Sequence, residues 1–509
     1  MGERVHKSIL NAEVNVIFFF LSLFLAFFSR KIFLDNLGSE FIGLTGTLDN
    51  ILGYLNLAEL GIGSCISFFL FKPLQSNNRE EIQEIISVFG YLYRWIGLII
   101  LGGGVIISFF FPFIFAHTDL GLDIIYFTFY SFMGSSLIGY FINYRQILLS
   151  ADQKNYLVAI YFQSATIVRT ALQIILALNF QNLYLWVFVE FFFGIISCII
   201  LNLKINKEYP WLKADKSKGH GLLKKYPDIL TNTRKIFIHS IKDFLMGKSD
   251  ELFIFMFVSL KMVAYYGNYI IIISKVTLLF KSVLDSVGAG VGNLIAEGDK
   301  NNIMKVFWEL TAIRHFVAGF LSFTIFHFIE PFVSLWLGNE YILDRVILIL
   351  LIIFIYINNS RGVVDIFNHA HGLYADIWAA WVELIINVVA TLVFGYFYGI
   401  AGILCGKNIS LITIIIFWKP YYLFSSGFKL PVSRYWKGAS RNYIISFVSF
   451  FAATFLLSYI RVNPSESYLN WIGYCLIGSL AYLMVNIPLL YFFAKGSHDC
   501  MNRIKLLCK

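Results

Sequence analysis

Apolar runs of about 20 residues, separated by short polar breaks, recur from residue 12 to residue 494. A run of that length crosses a bilayer as a helix. The pattern predicts 14 spans, at residues 12–34, 41–71, 86–115, 121–149, 156–178, 182–204, 234–260, 264–293, 305–336, 341–370, 376–398, 400–424, 441–460 and 467–494. The runs are continuous rather than alternating, which argues against a membrane β-barrel. The expectation is an all-α integral membrane protein.

The longest polar break, Lys204 to Lys235, leaves six spans before it and eight after. The two sides resemble each other at an offset of 221 residues. Gly46 then meets Gly267, Arg79 meets Lys300, Ile82 meets Ile303 and Asp123 meets Asp344. A two-residue adjustment aligns Pro112 with Pro331 and Ala151 with Ala370. An even number of spans per repeat gives both halves the same topology, and transporters of this build place their site between the halves. The predicted organisation is an N-terminal six-helix bundle (1–205), a basic linker (206–233), a second six-helix bundle (234–425), and two additional helices with a tail (426–509). The two bundles would enclose a central cavity.

Charge adds orientation. The 509-residue chain carries 40 Lys+Arg against 31 Asp+Glu, a formal net charge of +9. Only 14% of residues are charged and mean hydropathy is +0.72, where a soluble protein has about 25% charged residues. The basic residues concentrate in alternate loops, so the net charge reads as topology and not as nucleic-acid binding. With the N-terminus inside, inward segments hold roughly 25 Lys+Arg and outward loops about two, Lys261 and Arg461. Both termini are then cytoplasmic. The basic start (Arg4, Lys7) runs into an apolar stretch too long for a cleavable signal. The six cysteines form no disulfide framework and are expected to be reduced.

Basic residues inside the spans carry the functional argument. Arg30, Arg169, Lys242, Lys248, Lys275, Arg314 and Arg361 lie within apolar segments. Such residues persist in a bilayer when they face protein, water or a charged ligand. They suggest a cationic path for an anionic cargo. Span 7 puts Lys235, His239, Lys242, Ser249 and Asp250 on one stripe, and span 8 spaces Asn268, Lys275 and Ser282 by sevens. Interhelical hydrogen bonding is the better explanation of the Asn and Ser residues, and cavity lining that of the Lys and Arg residues. Among the acids, Asp250, Glu251 and Glu59 are candidates for balancing the cations or for coupling to H+ or Na+. Glu59 has no cation nearby on its own helix. Glu251 is spaced to pair with Lys248, and the repeat places Arg30 opposite Asp250 or Glu251. No phosphate loop, H-E-x-x-H or G-x-S-x-G motif occurs, so no enzyme and no cofactor is expected. His369 and His371 have no evident third partner for a metal.

Several stretches match a known family. Gly38-Ser39-Glu40-Phe41-Ile42-Gly43-Leu44, Ala58-Glu59-Leu60-Gly61-Ile62-Gly63 and Lys72-Pro73-Leu74 are three of them. Leu148 to Lys154, Tyr266-Gly267-Asn268-Tyr269 and Gly292 to Glu297 continue the series in order. Together they resemble the Wzx-type polysaccharide flippases of the multidrug/oligosaccharidyl-lipid/polysaccharide (MOP) exporter superfamily. The later half of the chain matches by span pattern alone. Family members commonly have Asp-Asn where this chain has Asp250-Glu251, which leaves the role of the second position open.

The resemblance implies 14 helices around a V-shaped cavity lined by spans 1, 2, 7 and 8. It implies movement of undecaprenyl-diphosphate-linked oligosaccharide to the outer leaflet by alternating access, with cavity cations meeting the diphosphate. O-antigen, capsule or exopolysaccharide synthesis is the setting, with membrane lipids, a polysaccharide polymerase and glycosyltransferases as partners. Rival readings are an organic-cation antiporter of the same superfamily, a non-transporting subunit of a polysaccharide synthesis complex, and a peptidoglycan-precursor flippase. The charge pattern itself is testable: single cysteines placed in 206–233 or after Lys495 are expected to resist a membrane-impermeant thiol reagent in intact cells. Strong labelling from outside would reverse the predicted orientation.

Overall fold

With no water in hydrocarbon to bond the backbone, each apolar run closes its N–H and C=O groups within itself as a helix. The computed structural model describes residues 2–59, 62–285, 287–373 and 376–499. Within these, the side chains of 2–9, 12, 58, 64, 235, 236, 238–240, 242–246, 248, 282, 283, 289 and 377 are not described. The described residues are helical, without strands.

Two compact units form. The first comprises residues Met1–Phe255 and Ser259–Ala264, the second Met256–Val258 and Tyr265–Lys509. The helix that the repeat assigns to the start of the second half, Pro227–Phe257, therefore groups up to Phe255 with the first unit.

The first unit contains α1 (Gly2–Leu37), α2 (Ser39–Leu55), α3 (Ile62–Gln75), α4 (Arg79–Ser108), α5 (Leu122–Ile142), α6 (Asn155–Phe180), α7 (Leu183–Glu208) and most of α8 (Pro227–Phe257). Gly38, at φ 87°, makes the turn between α1 and α2 in a backbone region that side chains disfavour. α1 packs on α6, α5 on α7, and α6 on α7. A Cβ on Gly194 of α7 would lie 1.8 Å from Ser135 Oγ of α5, so the missing side chain permits that approach.

The basic linker is folded onto α4. Lys213 N–H donates to Gln83 Oε1 (3.1 Å) and Asp215 N–H to Ser87 Oγ (2.9 Å). Lys225 and Tyr226 both bond Glu84. Lys216 donates to the Phe141 carbonyl at 2.5 Å and sits 4.7 Å from the centre of the Tyr144 ring. Burial, with Arg145 and Arg94 nearby, pulls its pKa below the ordinary lysine value. Lys154 meets the opposite balance. Burial works against its charge, but Glu208 (2.8 Å) and Asp152 (2.9 Å) prevail and raise its pKa.

The second unit contains α9 (Leu260–Asp285) from Tyr265 onward, α10 (Gly288–Glu297), α11 (Lys300–Trp336), α12 (Arg345–Ser360), α13 (Gly362–Ala370), α14 (Ile377–Leu411), α15 (Ser433–Leu457) and α16 (Tyr468–Phe493). Phe307, Trp308, Phe367, Phe424 and Tyr435 form an aromatic core. The last two helices are fastened to α11. Tyr482 is fully buried beside Phe323, and Asn486 donates to Ser449 Oγ at 2.9 Å.

Eleven segments of the described residues are long and apolar enough to cross a membrane. They differ from the 14 expected spans in three places. The expected span 41–71 is two shorter helices, α2 and α3, with a 3-10 turn at Asn56–Glu59. α8 is not among the eleven, and its sequence carries Lys242, Lys248, Asp250 and Glu251. Residues 378–427 count as one segment but reverse at Gly399, whose φ of 56° and ψ of −132° are non-helical. This reversal separates the expected spans 376–398 and 400–424. The 221-residue offset reappears in the helix starts, Ser39 with Leu260 and Arg79 with Lys300.

The reversal brings backbones together. A Cβ on Gly402 would lie 1.9 Å from the Phe394 carbonyl oxygen, and one on Gly406 would lie 2.5 Å from Thr391 N. The two glycines, four apart, form a small-residue seam. Gly402→Val is expected to cost at least about 1–3 kcal/mol, because backbone cannot swing away. Thermal unfolding of the purified protein should show a lowered midpoint, while Gly473→Val, in open space, should leave it unchanged.

Candidate functional site

Polar groups inside apolar helices mark the candidate site, and the two units hold separate sets. In the first, the Arg30 guanidinium donates to the Ala264 carbonyl at 3.0 Å. Glu251 Oε2 accepts from Asn50 Nδ2 at 2.5 Å. Asp250, next to it, is buried and within electrostatic reach of Tyr54. Arg30, Glu251 and Asp250 thus all sit where α1, α2, α8 and the first residues of α9 belong to one unit. Lys242 and Lys248 fall outside the described side chains, so the expected Lys248–Glu251 pair does too.

Glu59 ends the 3-10 turn that interrupts the expected second span. Tyr93 of α4 donates to its Oε1, and Tyr140 of α5 donates to Oε2 at 2.5 Å. Among the described residues no Lys, Arg or His pairs with it. The carboxylate is therefore received by two neutral phenols. Neither tyrosine stands out in the sequence, since tyrosines in apolar runs also read as interfacial residues. Only their spacing across three helices identifies them.

Arg169 is half-buried and has an acidic partner. Its guanidinium forms an ion pair with Glu190 of α7, whose other oxygen accepts from Gln173 Nε2 at 3.0 Å. Gln173 also donates to the Trp186 carbonyl at 3.2 Å. This is a local charge pair between α6 and α7. Beside it lies a cavity of about 270 Å³ lined from α5, α6 and α7.

In the second unit Asn268 is fully buried and Lys275 is half-buried on the same helix. Arg314 is buried, with Nη2 2.9 Å from the Leu284 carbonyl and 2.6 Å from Asp285 Oδ1. A Cβ on Gly362 would lie 2.5 Å from Arg314 Nη1, so the glycine makes room for the guanidinium. Arg361 pairs with Asp365 one helical turn on, Nε to Oδ2 3.4 Å. Arg314 and Arg361 thus each have an acidic neighbour. A second buried polar group escaped the sequence reading: His315 Nδ1 and Tyr356 Oη are 2.8 Å apart. Among the described residues no cluster of three or more His, Cys, Asp or Glu is placed to hold a metal.

The overall chain trace has known counterparts. It is similar to the lipid II flippase MurJ in an inward closed conformation, with TM-score 0.66 and 17% identity over 95% of this chain and 99% of that one. It is also similar to an inward-facing MATE-family multidrug resistance transporter of the MOP superfamily, with TM-score 0.60 and 15% identity over 82% of this chain and 96% of the other. No family profile and no curated relative matches the sequence. The chain is a multi-pass membrane protein with the fold of MOP-superfamily transporters.

The Arg169–Glu190 pair makes a prediction. The pair is half-buried among apolar helices, and removing one partner leaves the other charge uncompensated. Arg169→Leu and Glu190→Leu are each expected to lower the unfolding midpoint sharply. The double variant should regain most of the loss. Equal loss in the double variant would assign the guanidinium a role other than neutralising Glu190.

Proposed function

We propose that this chain is a flippase that carries an undecaprenyl-diphosphate-linked oligosaccharide from the inner to the outer leaflet of the cytoplasmic membrane. It would do so by alternating access. The observation that carries the reading is the fold likeness, over 95% of the chain, to a protein that flips a lipid-linked cargo. The chemistry agrees. A diphosphate is a strongly hydrated anion, and transfer into hydrocarbon is prohibitive unless fixed cations replace that water. Lys242, Lys248 and Lys275 are the residues we assign to the diphosphate. Arg30, Arg169, Arg314 and Arg361, cations of the same proposed path, also bond neighbouring groups and so help to hold the helices in place. The polyprenyl tail stays in lipid throughout.

Glu59 is our candidate for coupling to H+ or Na+, since its carboxylate has only phenolic donors around it. In this reading both termini are cytoplasmic, and glycosyltransferases and a polymerase work before and after the flip.

A second reading has support of its own. The MurJ neighbour is a lipid II flippase, and a peptidoglycan precursor carries the same diphosphate on the same lipid. The multidrug reading, suggested by the MATE neighbour, fits less well: organic cations need an acidic site, and Lys242, Lys248 and Lys275 lie within the apolar segments here.

Flipping in proteoliposomes separates these readings. Purified protein is expected to expose a fluorescent undecaprenyl-diphosphate oligosaccharide to an external quencher or glycosidase, and Lys275→Gln to slow this at least about tenfold, a loss of roughly 1.4 kcal/mol at the barrier. Reconstituted protein level should be unchanged. Wild-type rates in Lys242→Gln, Lys248→Gln and Lys275→Gln would remove the cationic-path idea. Flipping of lipid II alone would select the second reading.

A further inference from the structure

The cavity beside Arg169 has unanswered polar chemistry. It is lined by α5, the 3-10 turn Asn143–Gln146 that follows it, α6 and α7, all within the first unit. Asn143, 1% exposed, has neither its amide nitrogen nor its amide oxygen bonded. Gln146 Oε1 and Arg169 Nε are likewise buried without partners. A buried amide offers two donors and an acceptor, and leaving all of them unmet is rare in folded proteins. These three side chains line one space, so they call for one occupant.

The lining also sets the occupant's character. Arg169 is already neutralised by Glu190, so neither an anion nor a cation gains a net counter-charge. Thr166 and Ser197 donate their hydroxyls to the Phe162 and Gly194 carbonyls, leaving their oxygens as acceptors. Ser136 adds a hydroxyl, and Phe162 and Phe193 add aromatic surface. Donors and acceptors interleaved with apolar faces suit a molecule that carries hydroxyls around a C–H-bearing ring. The volume, about 270 Å³, falls just under the usual range for drug-sized ligands, about 300–1,000 Å³. That is room for a single sugar ring rather than for an oligosaccharide.

We propose that this cavity is a monosaccharide-sized binding site for a neutral, polyhydroxylated ring, with Asn143 as its central hydrogen-bonding group. Its lining comes from the first unit alone, and the proposal stands whether or not the chain flips a lipid-linked cargo.

Cys198 lines the same cavity and is a free thiol, which provides a local reporter. The full-length protein, with its other five cysteines replaced by serine or alanine, is placed in lipid nanodiscs. Methyl methanethiosulfonate labelling of Cys198 is then timed in glucose, galactose or N-acetylglucosamine, with sucrose at equal osmolarity as control. At least one monosaccharide is expected to slow labelling several-fold and saturably, where sucrose does not. Asn143→Leu should abolish the protection. Ser136→Val should weaken it and serves where the first variant does not reach the membrane. Labelling that no monosaccharide slows would show a cavity holding water only and overturn the proposal. So would a Cys198 that never reacts, or protection that survives both substitutions.

Discussion

In hydrocarbon a polar group has no water to fall back on, so another part of the chain has to answer it. The interior of this protein is arranged by that rule. Arg169 on α6 is answered by Glu190 on α7, and Gln173 completes the carboxylate. Arg314 on α11 is answered by the end of α9, through Asp285 and the Leu284 carbonyl. Glu59 is answered by phenols from α4 and α5. Each arrangement crosses from one helix to another. The same groups that are costly to bury therefore also fix which helices are neighbours. Apolar packing alone specifies this weakly, since lipid tails satisfy an apolar face as well as another helix does.

Close backbone approach is the second device, and it comes from glycine. Gly43 lets α2 meet the Leu260 carbonyl, where a Cβ would lie 1.8 Å away. Gly194 does the same between α7 and α5. At Gly399 the chain reverses, and Gly402 and Gly406 let the two arms touch through backbone atoms. The basic linker adds a third kind of contact. Lys213, Asp215, Lys225 and Tyr226 pin it along one face of α4, so a segment whose composition suggests a loose loop is a folded part of the first unit.

These constraints bear on function by subtraction. Carriers with this fold take different cargoes, as the flippase and multidrug neighbours show, so the fold does not choose among them. The chemistry of the intramembrane charges has to make the choice. Arg169, Arg314 and Arg361 belong to pairs, and the proposal for an anionic cargo assigns its diphosphate to Lys242, Lys248 and Lys275 on their place in apolar spans. The polar cavity between α5, α6 and α7 is a separate feature, because its charges cancel and its unmet groups are neutral.

The sequence by itself determined the membrane class, the helical architecture and most helix boundaries. Hydrophobic run length is a local property, and a helix in lipid satisfies its backbone locally. It placed the divide between 398 and 400 where Gly399 reverses the chain. Its 221-residue offset reappears between the helix starts Ser39 and Leu260. It singled out the intramembrane charges, because a Lys or Arg in an apolar run is conspicuous in one dimension. It did not reveal which of them were already neutralised. Glu190 lies 21 residues from Arg169, and Asp285 lies 29 from Arg314. Tyr93 and Tyr140 come to Glu59 from separate helices. Helix rotation and neighbour choice decide those meetings, and both follow from packing across the whole unit. Only the tertiary structure could therefore show these pairings, and only it could show that Asn143, Gln146 and Arg169 share a cavity.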